Sequence, residues 1–166
     1  MQPVFETERL VIYRYEAGDF DDFYLLNGDE EIMRYIRPAQ NREDSFLFFE
    51  KIMEAYNEQP GIGRWGMRAK SDGSFIGSFA IIPVQNSTDL QLGYSLLRDT
   101  RGKGYASEAV QGGIKYAFEQ LKLASIAAIT EIENLASQKV LLRNGFVYEK
   151  EFFEGDKRLN LYRLTR

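Results

Sequence analysis

The sequence predicts one α+β domain, residues 1–166, with a mixed central sheet of about six or seven strands and about four helices around it. Three observations support this fold class. A chain of 166 residues has the length of one domain. Hydrophobic residues form 44% of the chain and aromatic residues 14%, which supplies a sizeable core. Three strand-like segments follow one another in the middle of the chain, and strands alternate with helices after them.

The first third of the chain is typical of one strand followed by two or three helices. An apolar, β-branched run predicts the strand. The longest helix is indicated by aromatic and apolar side chains at helical spacing, with Asp44 as its expected N-terminal cap: Phe46, Phe49, Met53 and Tyr56. The expected ranges are 10–15 for the strand and 19–27, 30–36 and 45–58 for the helices.

The rest of the chain predicts six strands and two helices. The turn Ser71-Asp72-Gly73 joins the first two strands as a hairpin. A helix with one continuous apolar face begins after Gly104, and Asn144-Gly145 ends the other. The expected strands are 64–70, 75–83, 89–97, 126–132, 146–153 and 159–164, and the helices run to about 121 and from 134 to 143.

The chain contains no cysteine and no histidine. Without cysteine it can have no disulfide, no thiolate nucleophile and no cysteine-based zinc site. Without histidine it can have neither a Ser-His-Asp triad nor a histidine-ligated metal. Catalysis must therefore use carboxylates, hydroxyls, lysine, arginine, backbone N–H groups or a bound cofactor, and we expect no metal.

The charge balance indicates which partners to expect, and the N-terminal residues and the apolar runs indicate where in the cell the protein is expected. Lys plus Arg number 21 and Asp plus Glu 25, so the net charge is −4. This balance argues against nucleic acid as the main partner and favours cationic ligands. The first residues show no signal-peptide pattern, and no apolar run approaches the ~20 residues of a membrane helix. We expect a cytoplasmic protein without a membrane partner.

The most informative segment is the turn Arg101-Gly102-Lys103-Gly104-Tyr105-Ala106, which lies between an expected strand and an expected helix. Its glycines permit unusual backbone angles and a close approach of ligand. The free N–H groups at the start of a helix carry the positive end of its dipole. With Arg98, Arg101 and Lys103 beside it, the turn predicts a pyrophosphate cradle. Spacing alone leaves a plain solvent-exposed turn as the alternative.

A second cluster, Asn134-Leu135-Ala136-Ser137, begins the next helix at the end of a strand. Asn134 is a typical N-terminal cap. The Ser137 hydroxyl, in the first turn, is expected to face the same crevice as the glycine-rich turn. The capping role and the functional role are compatible.

Six segments follow one another along the chain: Phe5-Glu6-Thr7-Glu8-Arg9-Leu10, Phe75-Ile76-Gly77-Ser78, Leu92-Gly93-Tyr94, Arg101-x-x-Gly104-x-Ala106 with Glu108-Ala109, Asn134-x-x-Ser137 and Gly145-Phe146. In this order and spacing they resemble the GNAT N-acetyltransferases, specifically the RimJ/RimL-type branch, over nearly the whole chain. The resemblance implies a GNAT fold and the transfer of an acetyl group from acetyl-CoA to an amine.

The resemblance also implies roles for individual residues. Backbone N–H groups from Arg101 to Ala106 would hold the CoA pyrophosphate, and the backbone around Leu96 and Leu97 would pair with the pantetheine arm and polarise the thioester carbonyl. Asn134 would contact the pantetheine. Ser137 would lie near the CoA sulfur. Many relatives carry a tyrosine acid where this chain has Leu141, so the resemblance to the RimJ/RimL-type branch gives the role of acid to Ser137. The implied acetyl-CoA contacts are Leu96, Leu97, Arg98, Arg101, Gly102, Lys103, Gly104, Tyr105, Ala106, Asn134 and Ser137.

A base is also needed, because a lysine-type amine has a pKa near ~10.4 and attacks only as the neutral form. The candidates are Glu131 and Glu133, at the end of the strand before Asn134, and Glu131 is preferred. Relatives often carry an acidic residue just before Leu-Gly-Tyr, where this chain has Gln91.

The acceptor is left open by the sequence. A protein N-terminus, a lysine side chain, a polyamine and an aminocyclitol antibiotic are all compatible acceptors. The oligomeric state is open as well, between a monomer and a homodimer. Tyr35, Trp65 and Phe153 are candidate pocket residues, with ordinary core packing as the alternative. Two other functions remain: a non-catalytic acyl-CoA-binding or sensing module, suggested by Gln91, and a binder of another nucleotide phosphate.

Overall fold

The computed structural model describes residues 1–166 and confirms an α+β fold with a mixed sheet. Its strands are β1 Gln2–Glu6, β2 Leu10–Arg14, β3 Gly63–Ala69, β4 Phe75–Pro83, β5 Leu90–Leu96, β6 Ser125–Glu131, β7 Val147–Glu154 and β8 Lys157–Thr165. Its helices are α1 Phe20–Asn27, α2 Glu30–Met33, α3 Arg42–Glu58, α4 Tyr105–Glu119 and α5 Leu135–Arg143. Short 3-10 turns occupy Ala17–Asp19 and Arg98–Thr100.

The sheet has eight strands rather than six or seven, and five helices rather than about four accompany it. The additional strand is β1, which pairs antiparallel with β2 at the edge of the sheet. Its residues are exposed or half-buried and include Pro3, so the segment lacks the apolar pattern by which buried strands are recognised. Edge strands of this kind leave little signal in the sequence.

The strand order is β1-β2-β3-β4-β5-β6-β8-β7, and the neighbours pair antiparallel except β5 and β6. Helix α4 connects these two parallel strands, as a crossover between parallel strands requires. The N-terminal part of the sheet is thus one antiparallel meander, and the C-terminal part is joined to it through a single parallel pair.

Two expected helix boundaries were wrong. Helix α3 begins at Arg42, and its cap is Asn41 rather than Asp44. The Asn41 Oδ1 accepts the Asp44 N–H at 2.8 Å, and the Asn41 amide donates to the Asp44 carboxylate at 2.8 Å. This reciprocal pair satisfies a free N–H at the helix start, so Asp44 lies inside the first turn. Helix α2 ends at Met33, and the segment before Pro38 is irregular.

The helices pack on both faces of the sheet. On one face, α1 and α3 cover β2–β4 through an aromatic cluster in which the Tyr15 ring lies 5.4 Å from both Phe23 and Phe49. On the other face, α4 lies so close to β4 that a Cβ on Gly113 would come within 2.3 Å of the Phe79 ring. Trp65 is fully buried in the core against Tyr116 of α4, so core packing is its role. None of the helices has the length and apolar character needed to cross a bilayer.

Candidate active site

The centre of the sheet opens where the two parallel strands diverge. Strands β5 and β6 pair only at Gln91–Ala127 and Leu92–Ala128. Beyond these pairs β5 continues to Leu96 and β6 to Glu131, but they form no further ladder with each other. The backbone polar groups along the inner edges of the two strands are therefore left for another partner. We call this opening the crevice.

A cavity of about 410 Å³ adjoins the crevice and extends beneath the segment that follows α1. Among the site residues predicted from the sequence, it is lined by Tyr35, Glu131, Asn134 and Ser137. Phe153 is 65% exposed and does not line it; its neighbour Phe152 does. Glu133 is also exposed and outside the cavity, whereas Gln91 lines it. The volume is in the range of small-ligand pockets.

The hydrogen-bond alternation along β5 determines which backbone groups face the crevice. The Leu97 N–H donates to the Ile76 carbonyl at 3.0 Å, and the Leu97 carbonyl accepts from Thr100. Both backbone groups of Leu97 are thus engaged within the chain. In an antiparallel ladder the next residues alternate, so the backbone N–H and C=O of Leu96 and Tyr94 turn away from β4 toward the crevice. Tyr94 was not among the residues predicted to contact acetyl-CoA.

The glycine-rich turn lies just beyond the carboxyl end of β5. Gly102 and Gly104 adopt positive φ angles of 75° and 83°, a conformation in which a side chain is strained. Gly104 is the N-terminal cap of α4. The backbone N–H groups from Gly102 to Ser107 donate no hydrogen bond within the chain. A continuous set of free N–H donors at a helix N-terminus is a site suited to an anion.

The turn is held in place by the N-terminal segment. The Arg9 Nη1 donates to the Lys103 carbonyl at 3.0 Å, and its guanidinium lies 4.7 Å from the centre of the Tyr105 ring. Glu108, in the first turn of α4, accepts from the Thr7 hydroxyl at 2.5 Å and from Arg9 Nε at 2.6 Å. Two segments about 100 positions apart are thereby joined, which explains physically why Glu-Thr-x-Arg-Leu and Gly-x-Ala-x-Glu occur together in the sequence.

Replacing Glu108 with glutamine is expected to destabilise the fold at neutral pH by about 1–3 kcal/mol. Burial raises the pKa of Glu108, but hydrogen bonds from Thr7 and Arg9 outweigh it, so the net pKa is lowered. The ionised carboxylate therefore contributes stability above its unfolded pKa, and this contribution is lost as the pH falls through the folded pKa. Thermal unfolding from pH 7 to pH 3 measures it.

In that titration, the stability difference between wild type and Glu108→Gln should shrink steadily as the solution is acidified. The exposed ion pair of Arg42 with Asp21 provides a control, because breaking it with Asp21→Asn should cost less than about 1 kcal/mol. A Glu108→Gln variant as stable as wild type at pH 7 would contradict the role of Glu108 in holding the turn.

The arginines near the turn are tied to α2 and its cap. Arg98 contacts Asp29 at 2.7 Å and Glu31 at 2.8 Å, and Arg101 contacts Glu31 at 2.9 Å. These ion pairs dock α2 on the β5–α4 connection. Lys103 makes no ion pair and is exposed. Of the three cations predicted to flank the turn, Lys103 alone is without a carboxylate partner.

The start of α5 brings Asn134, Ser137 and Tyr94 together. The Asn134 Oδ1 accepts the Ser137 N–H at 3.2 Å, which confirms Asn134 as the helix cap. The Asn134 side-chain amide donates no hydrogen bond within the protein, and the Ser137 hydroxyl lies beside that of Tyr94. Burial raises the pKa of Tyr94, and the adjacent Ser137 hydroxyl partly opposes that shift. Tyr94 thus stays protonated at neutral pH.

Packing determines the surroundings of two other residues considered in the sequence analysis. Leu141 is fully buried in the core. Glu131 lines the cavity at the end of β6, with its carboxylate in an ion pair with Lys157 of β8. The crevice therefore places Glu131, Ser137 and the free backbone of β5 around one cavity, while the glycine-rich turn lies outside that lining.

The sequence and the fold both have clear relatives. Residues 9–147 match the family model described as an acetyltransferase (GNAT) domain. The uncharacterized N-acetyltransferase p20 of Bacillus licheniformis is 34% identical over 149 residues, which is 87% of this chain and 82% of that protein.

Solved structures share the architecture. A GNAT-family acetyltransferase from Bacillus anthracis is 25% identical, with a TM-score of 0.85 and 97% of each chain covered. The ribosomal alpha-N-protein acetyltransferase RimL, in complex with coenzyme A, has the same fold: its TM-score is 0.81 over 99% of this chain and 98% of that one, at 14% identity. The diverging strands, the free N–H groups at the start of α4 and these matches agree: the chain belongs to the GNAT family of N-acetyltransferases and is an acyltransferase.

Proposed function

We propose that the chain transfers the acetyl group of acetyl-CoA to a primary amine by direct attack within a ternary complex. The observation that carries this proposal is the placement of free donors on two sides of one opening. The N–H groups from Gly102 to Ser107 begin α4, and the unpaired edge of β5 leads from them into the cavity. An elongated ligand with an anionic end and an amide-containing arm would find donors along its whole length.

The anionic end is assigned to the glycine-rich turn. The positive φ angles of Gly102 and Gly104 turn consecutive N–H groups outward, and the helix dipole adds to the local positive potential. Lys103 is the cation free to approach a phosphate. Arg98 and Arg101 keep α2 in place through Asp29 and Glu31, and their charge remains close to the turn.

The pantetheine arm is assigned to the inner edge of β5 and to Asn134. The backbone groups of Leu96 and Tyr94 would form sheet-like hydrogen bonds with the amides of the arm. The arm would then take the place beside β5 that β6 would occupy if the two strands stayed paired. The Asn134 side-chain amide is a further donor, because only its oxygen is used to cap α5. The Leu97 backbone contributes through its bond to Ile76, which holds the end of β5 in the sheet.

The chemistry requires few side chains. When bound, acetyl-CoA supplies a thioester whose carbonyl is already activated toward amines. The neutral amine nitrogen attacks the carbonyl carbon, a C–N bond forms, and the C–S bond breaks. Before the attack, the protonated form of the amine gives one proton to Glu131. The nitrogen releases a second proton as the C–N bond forms, and through solvent this proton replaces the one that the Ser137 hydroxyl donates to the leaving thiolate. Backbone N–H groups of β5 stabilise the oxyanion that develops during the attack.

Two replacements of Asn134 separate its cap from its proposed contact with the pantetheine. Asn134→Asp keeps an equally good capping oxygen but loses the amide donor, so we expect an unchanged Tm and a KM for acetyl-CoA raised about 10-fold. Asn134→Ala loses both and should also destabilise the fold by about 1 kcal/mol. An unchanged KM in both variants would remove Asn134 from the binding site.

The experiment that tests the proposed function combines ligand binding with turnover. Acetyl-CoA or CoA at about 100 times Kd adds about 2.7 kcal/mol, a rise in Tm of roughly 5–10 °C, whereas ATP and NAD should add little. Release of the CoA thiol is then followed with a broad panel of amines. Stabilisation by ATP alone would overturn the proposal.

The second candidate is a non-catalytic acyl-CoA-binding module, which is favoured by Gln91 in the cavity where many relatives carry an acid. It predicts the same rise in Tm with acetyl-CoA but no thiol release with any amine of the panel.

A further inference from the structure

The cavity is more basic than the chain as a whole. Three cationic side chains line it, Arg37, Arg64 and Lys157, against two carboxylates, Glu131 and Glu154. The chain carries a net charge of −4, so this local excess of positive charge runs against the overall balance. The expectation of a cationic acceptor was drawn from that overall balance alone.

The arginines differ from the lysine in their partners. Lys157 is paired with Glu131, but neither Arg37 nor Arg64 forms an ion pair with any carboxylate of the chain. The Arg64 guanidinium is partly buried, which lowers its pKa, and it donates no hydrogen bond to the protein. Arg37 contacts Asn27 through one terminal nitrogen, and its Nε is buried without an acceptor.

The two guanidinium groups share an aromatic neighbour and interact electrostatically. Both lie over the ring of Phe48, at 4.5 Å for Arg37 and 5.7 Å for Arg64. Burial lowers the pKa of Arg37 to about 10, with a second contribution from the charge of Arg64. Two partly buried like charges without a counterion are costly, and the aromatic face offsets only part of that cost. Their arrangement is suited to an anion that contacts both, because a guanidinium group forms bidentate hydrogen bonds with carboxylates and phosphates.

The pair is also placed at a defined distance from the reaction centre. Arg64 pairs with Ala80 across β3 and β4, and Ala80 pairs with Gly93 across β4 and β5. Gly93 lies at the point where β5 begins to diverge from β6. Two strand spacings therefore separate the backbone of Arg64 from that of Gly93 by about 10 Å. Arg37 and Arg64 line the same cavity as Glu131 and Ser137, so one small ligand in that cavity can contact the arginines and reach the crevice.

We infer that the acceptor is a small amine that also carries a carboxylate or phosphate group, bound by Arg37 and Arg64 while its amino group points into the crevice. This inference rests on the proposed acetyl transfer and specifies its substrate class. Glu131, at the crevice end, and the two arginines, at the other end, would together orient a molecule that has a positive and a negative end.

The test uses matched pairs of acceptors. Amino acids are compared with their primary amides, aminoalkyl phosphates with the corresponding amino alcohols, and spermidine serves as a polycation. We expect kcat/KM to be about 10- to 100-fold higher for the anionic member of a pair, mainly through KM. Comparing the carboxylate pairs with the phosphate pairs shows which of the two anionic groups the site prefers.

Variants connect that preference to the arginines. Arg64→Gln should erase the difference within each pair, Arg37→Gln should reduce it, and Arg64→Lys should retain part of it because the charge remains without the fork. Arg42→Gln, an exposed arginine of α3 outside the cavity, is the matched control. The Tm of Arg64→Gln should not fall, because one of two like charges is removed. A lower Tm together with an unchanged acceptor preference would mean that Arg64 only supports Phe48, and would overturn the inference.

The remaining outcomes separate this inference from the proposed function. Turnover with amides as fast as with acids, or fastest with spermidine, overturns the anion site and leaves acetyl transfer standing. If no amine is acetylated, acetyl transfer fails, and the anion site is decided by thermal shift with inorganic phosphate and with succinate. A rise in Tm that Arg64→Gln abolishes supports the site, and no rise overturns it.

Discussion

Replacing Ser137 with alanine is expected to lower kcat by about 100-fold or more while leaving Tm unchanged. The substitution removes only the hydroxyl. The Ser137 N–H that Asn134 accepts belongs to the backbone, so α5 keeps its cap. Alanine is also a good residue in the first turn of a helix. A large loss of turnover at unchanged stability would therefore report the proton that the leaving thiolate needs. Steady-state kinetics and thermal unfolding of the same preparations measure both quantities.

Tyr94 provides the control for this experiment, because its hydroxyl lies next to that of Ser137 and stays protonated at neutral pH. Tyr94→Phe removes the neighbouring hydroxyl and keeps the ring packed. If Ser137 donates the proton itself, Tyr94→Phe should lose much less activity than Ser137→Ala. A normal kcat in Ser137→Ala combined with a large loss in Tyr94→Phe would assign the proton to the tyrosine instead.

The sequence predicted the features that depend on local geometry. A glycine-rich turn before an amphipathic helix and an asparagine at a helix start each have a local physical meaning, and both occur in the structure. The exclusions that followed from the absence of cysteine and histidine needed no structure at all. These are properties of residue type and short-range spacing.

Other features depend on long-range packing, which spacing does not encode. Strand β7 has an irregularity between Tyr148 and Lys150, and such a bulge shifts the in-out alternation of all later residues. As a result Phe152 lines the cavity, whereas Phe153, which the sequence offered as a pocket or core residue, is exposed. The pair of Arg37 and Arg64 likewise comes from segments that only the packing of α3 on the sheet brings together.

The second large effect is expected for Glu131→Gln, which should lower kcat about 100-fold at neutral pH if this carboxylate takes the proton of the amine. The deficit should shrink as the pH approaches the amine pKa near ~10.4, because the neutral amine then needs no base. A pH profile of kcat for both proteins with one good acceptor measures this convergence.

Lys157→Gln separates a role as base from a structural role, because it breaks the same ion pair and leaves the carboxylate in place. If Glu131 matters only as the partner of Lys157, the two variants should lose activity and stability equally, with no convergence at high pH. If Glu131 is the base, Lys157→Gln should lose far less turnover, since the unpaired carboxylate can still accept a proton. The two results differ because a base is required only while the amine is protonated, whereas a broken structural contact acts at every pH.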